Sequence, residues 1–262
     1  MRIIFAGTTE FGIPTLEKLK KNYELVLIIT QPDKPSGRKQ VLAPPPIKVW
    51  AEKNNVPTLQ PSKISEIGEQ FTDKKPDLFL VAAYGQIIPT SILHIPRFKS
   101  INIHGSLLPK YRGATPIQNA ILNGDKETGI TLIQMDEKMD HGPIIAKEKL
   151  VIEENDDYAL LYKKMSVLAS DLVAKTLPDW FANKIKPAPQ VDSIATYTKL
   201  LTRADGKINW TNPAKSIDQQ IRGLNPEPGT WTTLDGKTIK ILSAKAVSEA
   251  KIELPGKIYI RE

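Results

Sequence analysis

Three apolar runs constrain this chain more than anything else in it: RIIFAG (Arg2 to Gly7), LVLIIT (Leu25 to Thr30) and LFLVAAY (Leu78 to Tyr84). None alternates polar with apolar residues, so each predicts a strand covered on both faces. Between them, Ile13 to Leu19 and Pro46 to Asn54 carry helical spacing, each with a proline near its start. SINIHG (Ser100 to Gly105) and GITLIQMD (Gly129 to Asp136) predict a fourth and a fifth strand, with Pro116 to Leu122 as the helix between them. Repeated β-α-β units of this kind imply an α/β fold: a doubly wound, Rossmann-like parallel sheet with helices on both faces.

Asp156 to Phe181 predicts a long amphipathic helix. Leu160, Leu161, Met165, Leu168, Leu172 and Leu177 form its apolar stripe, and Asp156 or Asp157 its N-cap. Periodicity is lost after Asn183, where KIKPAPQVDSIATYTK reads as a linker. The remainder is short and strand-like: KINW, TWTTLDGKTIKILSAKAV and GKIYIRE, with a hairpin turn at Asp235-Gly236. A chain of 262 residues has room for this division: a catalytic domain over 1–183, a linker over 184–204 and a small β-barrel over 205–262. The last run ends inside an expected strand, so the barrel is expected to be incomplete.

Composition narrows the chemistry. The chain has no cysteine, which removes disulfides, thiolate nucleophiles and cysteine-ligated zinc and fits a cytoplasmic protein. The N-terminus lacks a signal-peptide pattern and no run is long enough to span a membrane. Net charge is +7, and from Lys184 onward 13 Lys/Arg face 8 Asp/Glu, against 23 and 21 before it. A basic excess concentrated in the C-terminal part suits a nucleic-acid contact surface as well as a merely solvated one.

The first βα turn, FAGTTEFGIP, has neither the G-x-G-x-x-G of a dinucleotide site nor the Lys-Ser/Thr that closes a phosphate loop. Attention therefore moves to Asn102 and His104, which alternate with Ile101 and Ile103 and so share one face of the fourth strand. They sit near the carboxyl end, the usual ligand crevice of an open α/β sheet. An amide and an imidazole converging there could stabilise an oxyanion on a carbonyl, or form a buried pair bonded to backbone. QMDEKMDHGPII (Gln134 to Ile145) follows the fifth strand, and its loop is expected to open onto the same edge. Asp140, before a glycine-containing turn, could supply a carboxylate to the imidazole, with Asp136 as competitor in a solvated or capping position. His141 could line the pocket mouth or lie on the surface, and His94 falls in a loop without a polar partner in sequence. No nucleophile joins the set, and one histidine with one aspartate falls short of a metal-ligand set, so no metal is expected. Direct acyl transfer between two bound substrates fits best.

INIHGSLLPKYRG and GITLIQMDEKMDHGP together resemble the two active-site blocks of the folate-dependent formyltransferases. QPDKPSGRKQVLAPPPIKVWAE, YTKLLTRADGKINW and IRGLNPEPGTWT resemble the branch that acts on an aminoacyl-tRNA, and the likeness runs in order over nearly the whole chain. The resemblance implies 10-formyltetrahydrofolate as formyl donor and the methionine of initiator methionyl-tRNA as acceptor, with Asn102, His104 and Asp140 as catalytic triad. It implies folate contacts from Ser106, Leu107, Leu108 and Pro109, and from Tyr84, Gly85, Ile87 and Met139. Arg38 and Lys39 match the basic part of a loop that engages the acceptor stem. A monomeric cytoplasmic enzyme and an OB-like C-terminal barrel continuing beyond Glu262 are further implications. Sugar-nucleotide and glycinamide ribonucleotide formyltransferases, or a silent RNA-binding relative on the same scaffold, remain the alternatives.

Overall fold

The computed structural model describes residues 1–37 and 40–245. In chain order its strands are β1 (Arg2–Gly7), β2 (Glu24–Ile29), β3 (Lys34–Ser36), β4 (Val41–Ala43), β5 (Thr58–Leu59), β6 (Leu78–Ala82), β7 (Ser100–His104), β8 (Arg112–Gly113), β9 (Glu127–Gln134), β10 (Ile144–Val151), β11 (Tyr197–Thr198), β12 (Thr230–Leu234) and β13 (Lys237–Ile241). The helices are α1 (Ile13–Asn22), α2 (Pro46–Lys53), α3 (Gly68–Asp73), α4 (Thr90–Leu93), α5 (Pro116–Leu122), α6 (Tyr158–Phe181) and α7 (Ala214–Leu224).

Seven strands form one sheet in the order β10-β9-β7-β6-β1-β2-β5. The apolar runs sit at its centre because both of their faces are covered. Ile3 and Phe5 of β1 join one core cluster with α1, α2, α5 and α6, while Ile4 and Ala6 join a second with α3 and α4. β6 divides in the same way, with Leu78 and Leu80 on one side and Phe79 and Val81 on the other. Removing both faces from water makes each such side chain worth about 1.5–3 kcal/mol, which is why the middle of each run is apolar on both faces.

The sheet departs from the sequence expectation at one edge. β5, β2, β1, β6 and β7 run parallel, but β9 is antiparallel to β7 and β10 antiparallel to β9. Opposite His104 lies Thr131 and opposite Ile101 lies Gln134, so β9 ends beside the start of β7. The loop after β9 therefore leaves the opposite edge from the one expected. The chain between β7 and β9 departs and returns at a single edge, making α5 an excursion rather than a crossover. Hydrophobic periodicity identifies a strand without giving its direction.

α6 starts at an N-cap on Asp157, whose carboxylate accepts from Leu160 N at 2.8 Å. Of its expected stripe, Leu161, Met165, Leu172 and Leu177 are buried, whereas Leu160 is 43% exposed. The Asp235-Gly236 turn has positive φ at both residues, 47° and 73°, and joins β12 to β13 as a hairpin. KINW makes only an isolated bridge, Lys207 with Trp231. α7 was not expected from the sequence, although Ile217, Ile221 and Leu224 recur at helical spacing and are buried. Gln118 and Leu122 of α5 lie under Gly223, and Arg222 donates to Asp156 O at 2.6 Å, so α7 docks on the larger unit. GKIYIRE lies outside the described residues, as do Arg38 and Lys39. On either side of those two, β3 and β4 pair antiparallel, so the segment expected as a loop from Lys34 to Pro46 contains two short paired strands.

Candidate active site

On β7 the two faces have different fates. Ile101 and Ile103 enter the larger core, and Ser100, Asn102 and His104 face the other side. There α4 reaches only Ser100, whose hydroxyl donates to Leu93 O at 2.8 Å. The rest of that face is covered by the loop from Met135 to Pro143, which folds back across β7. This return brings Asp140 to Asn102 and His104 although the loop starts at the far edge.

Asp140 is the hub. Its Oδ1 accepts from Asn102 Nδ2 at 3.0 Å and lies 3.5 Å from His104 Nδ1. Its Oδ2 accepts from Gly113 N at 2.8 Å. The side chains of His104 and Asp140 are only 5% and 11% exposed. Asp140 holds φ at 50°, a left-handed conformation an aspartate tolerates at modest cost. His104 Nε2 lies 2.9 Å from Tyr111 O, and a carbonyl can only accept, so Nε2 carries a proton. The neutral ring therefore presents a lone pair at Nδ1 and the charged ring an N–H there. A single free nitrogen beside a carboxylate and an amide can accept a proton, donate one, or meet a developing negative charge.

Asp136 does not compete for this position. Its Oδ1 accepts from Lys138 N at 3.0 Å, a capping contact, and its Oδ2 lies 2.6 Å from His141 Nδ1. His141 reaches Asp192 through Nε2 at 3.3 Å, so both ring nitrogens are occupied. His94 is exposed at the end of α4.

The residues expected to contact folate fall into two groups. After β7, the hydroxyl of Ser106 donates to Lys110 O at 2.5 Å, and Thr131 ties Ser106 O and Leu108 N at 2.6 and 3.1 Å. Ser106 and Leu108 are buried, leaving Leu107 and Pro109 half-buried at the surface. After β6, Tyr84 is buried and its phenol is pushed up to about 12 by burial, so it stays neutral. Gly85, at φ 84°, packs against the Gln31 side chain, where a Cβ would lie 2.5 Å from Nε2. Gln86 binds the 61–64 segment, while Ile87 and Met139 are 86% and 63% exposed.

The sequence reading missed what holds these loops. The supposed linker is strapped across them: β11 pairs with β8, and Ala188 exchanges two backbone hydrogen bonds with Ile144. Thr196 Oγ1 accepts from Tyr111 N at 2.8 Å, steadying the residue whose carbonyl sets the His104 proton. Arg112, 1% exposed, donates to Gln190 Oε1, to Tyr197 Oη and to Asp192 Oδ1. The Arg112 guanidinium holds the Asp192 carboxyl below the usual carboxylate range. Gly113, at φ 110°, lies so close to the strap that a Cβ would meet Thr198 O at 2.5 Å. The proline-bearing polar composition that suggested a linker gave no sign of these partners. Among the described residues no group of three His, Cys, Asp or Glu could hold a metal, and no helix is long and apolar enough to cross a membrane.

The family model for formyl transferase matches residues 1–177, and that for the formyl transferase C-terminal domain matches residues 200–262. A methionyl-tRNA formyltransferase of Staphylococcus aureus (strain MW2) is 44% identical over 98% of this chain and 83% of its own length. One from Halalkalibacterium halodurans is 43% identical over 100% of this chain and 84% of its own. The sugar 3N-formyl transferase WlaRD, solved with dTDP and 5-N-formyl-THF, superposes with a TM-score of 0.71 at 25% identity, over 95% of this chain and 87% of that one. A 4-N formyltransferase from Francisella tularensis shares the fold, with a TM-score of 0.74 at 19% identity over 94% and 98% of the two chains. This chain belongs to the formyl transferase family, in both its N-terminal and its C-terminal domain.

Proposed function

We propose that this protein transfers the formyl group of 10-formyltetrahydrofolate to the α-amino group of methionine on initiator tRNA. One observation carries the chemistry: a single buried carboxylate, Asp140, binds Asn102 and sits beside the one free nitrogen of His104. The identity of the acceptor rests on the relatives, which are methionyl-tRNA formyltransferases over nearly the whole chain.

In this reading the amine attacks the formyl carbon, forming the new C–N bond as the carbonyl oxygen gains charge. Nδ1–H of His104 and the second amide proton of Asn102 meet that oxygen. The bond from carbon to the folate nitrogen then breaks. The amine loses one proton and the folate nitrogen gains one, with the Asp140 carboxylate placed to carry it while Nδ1–H stays on the oxygen. Tyr84, Gly85, Ile87 and Met139, with Ser106 to Pro109, line the folate site. Ser106 and Leu108 are buried and would serve by shaping the turn that presents Leu107 and Pro109.

The reading divides the chain into a catalytic domain over 1–183, a connecting segment over 184–204 and a tRNA-contacting domain over 205–262. Arg38 and Lys39, which lie between β3 and β4 in sequence, would engage the acceptor stem. Arg203 and Lys207 lie 5.7 and 5.6 Å from the ring of Trp231 on the C-terminal hairpin, a pairing suited to a nucleic-acid backbone and its bases. The enzyme would act as a cytoplasmic monomer.

Incubating the purified protein with 10-formyltetrahydrofolate and methionyl-tRNA should yield formyl-methionyl-tRNA, with a rate that falls as salt is raised. Equal or faster formylation of an amino-sugar nucleotide would overturn the reading.

A further inference from the structure

Gln190 lies in the strap, far from the catalytic residues in sequence, and its amide makes four contacts. Oε1 accepts from Arg112 Nε and Nη2 at 3.1 and 2.9 Å. Nε2 donates to Asp140 O and Gly142 O, both at 2.8 Å. Its orientation is set by chemistry, because a guanidinium only donates and a carbonyl only accepts. Turning the amide over would break all four bonds.

The two carbonyls it holds bracket the turn that carries Asp140. Asp140 is in the left-handed region, and Gly142 packs so tightly that a Cβ would fall 1.8 Å from Gln134 O. Gln190 thus ties a strained turn to a buried arginine of β8, the strand whose Gly113 N binds the Asp140 carboxylate. Arg112 is anchored in turn by Asp192 and Tyr197. Closed loops of this kind, in which every polar atom has its partner, set side-chain position to fractions of an ångström.

We propose that Gln190 is a positioning residue for Asp140: it clamps the 140–142 turn against Arg112, so that the carboxylate meets Asn102 and His104 together. The inference rests on the formyl-transfer reading for its effect on turnover, but its geometric content does not. It also makes the segment between the two domains part of the catalytic apparatus.

The test separates the two halves of the amide. Gln190→Glu keeps an acceptor for Arg112 and removes both donated hydrogen bonds. Gln190→Leu removes all four and serves as a second variant should the first fold poorly. Turnover of methionyl-tRNA should fall about tenfold in Gln190→Glu, with KM for tRNA and for folate each within about twofold, since a misplaced catalytic group costs rate rather than binding. Independently of turnover, the amide proton signal of Gly113, which reports its bond to Asp140 Oδ2, should move in Gln190→Glu in the same direction as in Asp140→Asn. An unmoved Gly113 signal with wild-type kcat would overturn the proposal, as would a loss expressed equally in both KM values. If the wild-type protein leaves methionyl-tRNA unformylated while the Gly113 signal still moves, the acceptor assignment fails and the positioning role stands.

Discussion

Two histidine–aspartate pairs lie on one loop system and are built in opposite ways. His104 and Asp140 are almost inaccessible and 3.5 Å apart, while His141 and Asp136 are about one-third exposed and 2.6 Å apart. The shorter contact belongs to the pair with nothing left to offer, because His141 has Asp136 on Nδ1 and Asp192 on Nε2. His104 spends only Nε2, on a carbonyl, and keeps Nδ1 in reserve beside Asp140. Tightness of an ion pair marks a clamp; an unspent nitrogen in a dry site marks chemistry.

His104→Gln should break the comparison most severely. Loss of the Nδ1 donor is expected to lower single-turnover formyl transfer about 10²–10³-fold, with folate binding, followed by fluorescence quenching, retained. A variant at wild-type rate would remove His104 from the chemistry. Asp140→Asn comes next: it carries no charge to offset a protonated ring and keeps only one acceptor for Asn102 and Gly113, and turnover should fall about 10²-fold. If the loss came entirely in KM, Asp140 would be a binding group instead.

His141→Gln should cost far less. Partly exposed ion pairs contribute roughly 0–1 kcal/mol, so kcat should stay within about fivefold of wild type and the melting temperature within a few degrees. A collapse in kcat as deep as that of His104→Gln would erase the distinction between the pairs. The smallest effect is one of pH. Asp192 is held below the usual carboxylate range first by its hydrogen bond from Arg112. A depressed carboxylate contributes above its unfolded value, near 3.9, and its contribution is lost only as pH falls through the lower folded value. Hydrogen-exchange protection of the Arg112 and Thr196 amides, corrected for intrinsic rate, should therefore be unchanged from pH 7 to about 5. Loss of protection within that window would assign the strap's docking to other groups.

The site was legible to very different depths along the chain. Asn102 and His104 could be placed on one face because a strand has a period of two, and local geometry alone carries that message. Asp140 could be nominated from its neighbouring turn, yet the route by which it arrives was misread, since the strand before it runs the other way. Gln190, Asp192 and Thr196 gave no local signal at all. Their partners, Arg112, Asp140 and Tyr111, are 50 to 85 residues away along the chain, a separation that no window of neighbouring residues spans.

What the sequence determined by itself is whatever follows from short-range periodicity: the buried parallel strands, the helices between them, the hairpin at Asp235-Gly236 and the polar face of β7. Tertiary structure alone decided strand direction at the sheet edge and the docking of the strap. It also decided which nitrogen of His104 stays free, because that depends on a backbone carbonyl, Tyr111 O, held in place by residue 196. Directions and long-range hydrogen bonds are properties of the assembled packing, in which each buried donor and acceptor must find its partner wherever the chain brings one.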